Sequence, residues 1–128
     1  MRQYQKLLAD SRYENLVDRL KPTDISEDAP VRQYIPGDYL SFIREVGWGE
    51  VGRAGYMLYS QPCYVSEVFD DAPDHLKNIV LFGDDFAGYS GGFDCGKVVE
   101  ISSADWTIIQ SDESFCDFII EKFDNALF

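Results

Sequence analysis

Asp70, Asp71 and Asp74 lead into four consecutive apolar residues, Ile79-Val80-Leu81-Phe82, and Asp84 and Asp85 follow them. Carboxylates this close to one buried strand could hold a metal, work as acid and base, or pair with the cations of a partner. The metal chemistries are weak fits. A Gly-Asp-Asp turn between strands, here Gly83-Asp84-Asp85, can hold catalytic metals in a polymerase palm, but such palms need further acidic motifs and a far longer chain. The segment from Asp84 to Gly91 lacks the alternate ligands and the terminal Glu of an EF-hand calcium loop. Gly88, Gly91 and Gly92 are not followed by the Lys-Ser/Thr pair of a phosphate cradle, and their surroundings are acidic.

The remaining reactive side chains do not assemble a catalytic set. His75 is the one histidine, and it lies in the polar stretch Asp-Ala-Pro-Asp-His, which reads as a surface loop. Cys63, Cys95 and Cys116 are widely spaced with no Cys-x-x-Cys pair, which disfavours a zinc knuckle or a thioredoxin-like site. Cys116 sits in an apolar run and reads as core. The chain is therefore expected to be no enzyme, with no cofactor and no metal site.

What is left for the carboxylates is recognition, and the charge distribution favours it. The net charge of −12 is one-sided: residues 1–64 carry 8 Lys/Arg against 9 Asp/Glu, and residues 65–128 carry 3 against 14. Such a surface repels nucleic acid and anionic lipid and attracts basic proteins. Asp70, Asp71, Asp74, Asp84 and Asp85 are read either as solvated loops or as a patch for Lys/Arg side chains. Trp48, between Gly47 and Gly49, is read either as an exposed anchor or as a lid on the core.

The elements that must position these residues follow from periodicity. Residues 2–20 read as helix with a break, and Ser11 to Glu14 match a capping box. Residues 21–34 read as loop. The segment from Ile35 to Gly49 is the clearest helix: Pro36 suits its first position, Tyr39, Phe42, Ile43 and Val46 share one face, and Asp38, Ser41, Arg44 and Glu45 share the other. Gly47 is expected to take a positive φ as the cap. Tyr56–Tyr59, Ile79–Phe82, the glycine-rich stretch from Tyr89 to Ile101, and Trp106–Ile109 read as short strands joined by tight turns, with Ile79–Phe82 central and buried. A last helix, capped by Ser111 with Asp112 and Glu113 in its first turn, presents Phe115, Ile119, Ile120 and Phe123. The expected fold is α+β: N-terminal helices, a central antiparallel meander, and a C-terminal helix packed on the sheet. At 128 residues the chain is expected to be one domain, 1–128. The first residues have no unbroken apolar run of a signal peptide and no stretch reaches the length of a membrane span, so the cytoplasm is the expected compartment.

The order of these landmarks resembles the SUKH superfamily, the fold of fungal Smi/Knr cell-wall regulators and of many bacterial immunity proteins. The resemblance rests on Ile35-Pro36, Tyr39-Leu40, Phe42-Ile43, Gly47 and Gly49, then Ile79 to Asp85 with Gly88, then Val98-Val99-Glu100, the Trp106–Ile109 segment and the helix with Phe115, Phe118 and Ile119. It spans about residues 34–123; Gly91-Gly92 are extra to the pattern, and the first thirty residues match no landmark. What the resemblance implies is a non-catalytic domain that binds and neutralises a cognate bacterial toxin, often a nuclease. The alternative it implies is an intracellular scaffold or regulator of the Smi/Knr type, against which the lack of disordered arms counts.

Overall fold

The computed structural model describes residues 4–52 and 55–127. Helices α1 (Gln5–Ala9) and α2 (Glu14–Val17) are joined by a 3-10 turn at Ser11–Tyr13. The expected break is there, but the cap is Asp10 and not Ser11: the Asp10 side chain accepts the Arg12 amide at 3.0 Å. A second 3-10 turn, Pro30–Tyr34, leads into α3 (Gly37–Glu45). Pro36 is its N-cap, one position earlier than expected. Tyr39, Phe42, Ile43 and Val46 are buried as their spacing predicts. The helix stops because Gly47 turns left-handed, with φ +118°, and a side chain there would run into the Lys21 carbonyl.

The sheet is a six-stranded antiparallel meander in chain order: β1 (Gly49–Val51), β2 (Tyr56–Tyr64), β3 (Val80–Asp84), β4 (Tyr89–Asp94), β5 (Lys97–Ser102) and β6 (Ile108–Gln110). The fold class is the expected one, and Ile79–Phe82 is buried in the interior of the sheet. Trp106 is not part of a strand. Its φ of +62° and the bond from its amide to the Ser102 carbonyl at 2.8 Å place it in the β5–β6 turn. Pro62, which has no amide to donate, sits where the β2–β3 register shifts between Leu58 and Cys63.

Helices α1, α2, α3 and the C-terminal α5 (Phe115–Asn125) cover one face of this sheet. The cap of α5 is Ser114, whose side chain accepts the Asp117 amide; Ser111, expected in that role, accepts the Glu113 amide in the preceding turn. Asp38, assigned by periodicity to the water side of α3, is half-buried. One of its oxygens accepts the Tyr39 amide at 2.9 Å and the other the Cys116 amide at 3.1 Å, so it ties the start of α3 to the start of α5. Tyr13 donates its hydroxyl to Asp124 and ties the N-terminal turn to the other end of α5.

The opposite face of the sheet is covered by one stretch of chain. Helix α4 (Val65–Val68), an extended turn and a 3-10 turn at Asp74–Leu76 cross it between β2 and β3, burying Val65, Leu76 and Ile79 against Leu81, Val99 and Ile101.

Phe82 is the extra residue of a bulge: Leu81 pairs with Gly92 and Gly83 with Gly91, and Phe82 has no partner between them. Its ring turns to the helical face, where the Tyr56 ring also lies. Gly91 is the residue beneath both, and a methyl group there would meet the Tyr56 hydroxyl and lie 2.7 Å from Phe82 Cζ. Gly91→Ala should therefore cost about 1–3 kcal/mol of stability by overpacking. The check is the urea midpoint of the variant against that of the parent; an unchanged midpoint would show that the two rings have slack.

Candidate interaction site

In a meander, alternate hairpin loops share an end of the sheet. The β3–β4 loop (85–88) and the β5–β6 loop (103–107) therefore lie together, and Ser103 joins them: its amide reaches the Gly88 carbonyl at 3.0 Å and its hydroxyl reaches the same oxygen at 3.3 Å. The segment crossing the back of the sheet arrives at this end as well, because Phe69, just past α4, packs edge-on against Trp106 with ring centroids 5.3 Å apart.

A cleft of about 280 Å³ opens among these pieces. Its floor is Tyr59 of β2 and Asp84 of β3, with Ser90 of β4; its walls are Val68 and Phe69 on one side, and Phe86, Gly88, Tyr89 and Ser103 on the other. Three of the wall residues are large apolar groups left open to solvent: Phe86 is 51% exposed, Val68 41% and Tyr89 39%.

Two carboxylates hold this loop in shape. Asp84 accepts the Tyr59 hydroxyl at 2.7 Å on one oxygen and the Phe86 amide at 3.0 Å on the other. Asp85 accepts the Ala87 amide at 2.8 Å and the Tyr89 amide at 3.1 Å on the same oxygen. Burial, and then the Asp84 carboxylate, push the Tyr59 hydroxyl well above the ordinary phenol range, so it stays a donor. Together these bonds keep Phe86 in the left-handed region at φ +63°. That conformation costs a non-glycine residue about 1–2 kcal/mol. The loop thus holds an apolar ring in a strained backbone and in water, a combination that marks binding surfaces more than cores.

The sequence-assigned carboxylates are sorted by this geometry. Asp84 and Asp85 build the cleft loop, half-buried. Asp70 and Asp71 are exposed and follow Phe69 directly, which brings them to the same end of the sheet, as the β5–β6 turn does Asp105. Asp74 leaves this group: it opens the 3-10 turn that leads back toward β3 and lines a small crevice of about 40 Å³ with Val65, Leu76 and Lys77. Trp48 leaves it too. It precedes β1, whose Gly49 pairs with Leu58, but it turns to the helical side: it pairs with Lys21 through the backbone, lies under the Lys21 ammonium at 5.7 Å and packs against the helical-side core.

Phe86, Tyr89 and Val68 are site residues that the sequence reading did not single out. Phe86 and Tyr89 fall among glycines in a stretch that reads as short strands joined by tight turns. The available signal was the turn chemistry of Asp84-Asp85-Phe86-Ala87-Gly88, since an aromatic inside an Asp-led turn has no core to enter.

The whole acidic half is electrostatically open. Among the described residues the salt bridges Arg12–Asp10 (2.9 Å) and Arg44–Asp24 (2.7 Å) both lie in residues 1–64, and no carboxylate of 65–127 makes one. Burial raises the Cys63 and Cys116 thiols above the ordinary range, and His75 is exposed in its 3-10 turn. No group of three or more His, Cys, Asp or Glu among the described residues could hold a metal ion. Nor is any helix among them long and apolar enough to cross a membrane. A second depression, about 410 Å³, lies at the other end of the sheet beside Gly96, Lys97, Gln110, Asp112 and Glu113; it is polar and carries a cation.

Comparison of the chain with protein families, with curated proteins and with solved structures finds no match.

Three substitutions test this account of the loop. Asp85→Ala removes the acceptor of two loop amides and should cost about 1–3 kcal/mol, whereas Asp85→Asn keeps an acceptor oxygen and should cost less than half of that. Phe86→Gly relieves the left-handed strain and should leave stability unchanged or raise it by up to about 1 kcal/mol. Chemical denaturation reads all three; a Phe86→Gly variant less stable than the parent by more than that amount would mean the ring is a core residue.

Proposed function

We propose that this chain is a non-catalytic binding domain that acts as an immunity protein of the SUKH type, neutralising a cognate toxin with a basic surface by holding it against the acidic half. The observation that carries this reading is that none of the carboxylates in residues 65–127 is neutralised by a salt bridge among the described residues, while an open cleft walled by exposed rings lies among them. Uncompensated charge of one sign raises the energy of the free protein and is relieved when a partner of the other sign arrives. It also speeds encounter more than it tightens the final complex. The surface that a nuclease offers to nucleic acid is basic, so an acidic partner can cover it. The SUKH resemblance of residues 34–123 supports the same reading from the order of its landmarks, most of them apolar residues and glycines.

The geometry changes which carboxylates should be probed. Asp84 and Asp85 shape the loop, so their removal mixes charge with structure. Asp70 and Asp71 are exposed beside the cleft, and Asp112 and Glu113 are exposed at the far end of the sheet. The two pairs carry equal charge at opposite ends.

The reading predicts a toxin domain encoded beside this chain, and the test is stopped-flow association with it. The on-rate should fall about tenfold or more from low to physiological salt. Asp70→Asn with Asp71→Asn should slow association several-fold more than Asp112→Asn with Glu113→Gln, and neither pair should move the melting temperature, because exposed carboxylates add little stability. A salt-independent on-rate overturns the electrostatic mechanism. A folded toxin domain that does not bind overturns the immunity reading in favour of an endogenous partner.

A further inference from the structure

The cleft has a more specific chemistry than acidity. It is concave, it is lined by the rings of Tyr59, Phe69, Phe86 and Tyr89, and among the described residues no Lys or Arg lines it. Its one carboxylate among the described residues, Asp84, already accepts one hydrogen bond on each oxygen. A carboxylate offers about four acceptor sites, so one further site remains on each oxygen, both on the same planar group.

We propose that this cleft receives an arginine side chain of the basic partner, its guanidinium between the aromatic wall and the Asp84 carboxylate. The inference rests on the reading of the chain as a binder of a basic protein and names the group that is read.

Arginine fits where other occupants do not. A guanidinium is planar, stacks flat on ring faces and donates from a fixed fork that matches a carboxylate; an ammonium can sit over a ring and donate, but it neither stacks flat nor offers the fork. Its weak hydration suits a half-apolar cleft better than that of lysine. An uncharged apolar side chain would cover the rings but would desolvate Asp84 without a partner. A second copy of this chain would bring its own net charge of −12 against the same acidic end.

The device is also pre-set. Asp84 fixes Tyr59 and Phe86 together, and Ser103 clamps Gly88, so the ring and the carboxylate are held before a partner arrives. A site ordered in advance loses little freedom on binding.

The experiment is an amide-resolved NMR titration of the full chain with two probes, a hexapeptide of arginine and a hexapeptide of lysine. The arginine peptide should shift the amides of Val68, Phe86, Ala87, Gly88, Tyr89 and Ser103 before those of other acidic stretches, and should bind about threefold or more tighter than the lysine peptide. Phe86→Ala with Tyr89→Ala should erase that preference while leaving the residual, salt-sensitive binding of both peptides. Equal affinities for the two peptides, or shifts spread evenly over the exposed carboxylates, would overturn the proposal. So would concentration-dependent shifts of the same amides without peptide, which would assign the cleft to a second copy. The same double variant separates this claim from the one beneath it. If it binds the toxin domain as the parent does, the cleft is not the reader and the immunity reading stands. If the parent does not bind the toxin domain but prefers the arginine peptide at these amides, the cleft chemistry stands and the identity of the partner falls.

Discussion

Phe82 is the contact on which both halves of the fold depend. Its ring lies 4.8 Å from Phe93, 5.1 Å from Phe115, 5.7 Å from Phe118 and 6.1 Å from Tyr39, joining the middle of the sheet to α3 and α5. All four pairs are edge-on or tilted and none is a flat stack, the arrangement that the ring quadrupole disfavours. The ring reaches the helices because β3 bulges at this residue, and the bulge puts Gly83, and then Asp84, one place out of simple alternation. The same register step that completes the core therefore sets where the cleft loop begins.

That coupling explains why the loop can hold a strained phenylalanine. Asp84 is anchored by a rigid strand and by the Tyr59 hydroxyl of its neighbour, and Asp85 by two amides of its own turn. The cost of the left-handed Phe86 is small beside the packing that fixes the strand ends. Asp124 and Glu67 also take structural bonds in this half, from the Tyr13 hydroxyl and the Tyr64 amide, but Asp84 and Asp85 are the ones that shape the cleft loop.

Periodicity made α3, β3 and α5 legible because each buries a regular stripe or run: Tyr39-Phe42-Ile43-Val46, Ile79 to Phe82, and Phe115-Phe118-Ile119-Phe123. The Gly47 cap was legible for the same reason, since it ends such a stripe. Features decided by contacts between distant residues were not. Asp38 reads as a water-facing helix residue until α5 places the Cys116 amide against it. The extra Gly91-Gly92, a mismatch to the family pattern, is explained only once Tyr56 and Phe82 are seen above Gly91. The site was half legible. Its charge was visible in composition, and Asp70, Asp71, Asp84 and Asp85 do meet at one end of the sheet, but Asp74 and Trp48 do not join them. The aromatic wall was hidden, because nothing local says that Val68 and Phe69 cross the back of the sheet to meet Phe86 and Tyr89.

The central claim is that recognition takes place at the end of the sheet where the β3–β4 and β5–β6 loops meet. Hydrogen exchange of the full chain, alone and bound to the basic partner proposed for it, tests it most directly. The account predicts slowed exchange in residues 68–71, 84–90 and 103–106, with the far end at 94–97 and 110–114 unchanged. Slowing confined to that far end, or to the outer surfaces of α2 and α3, with the cleft loop exchanging as in the free protein, would contradict it.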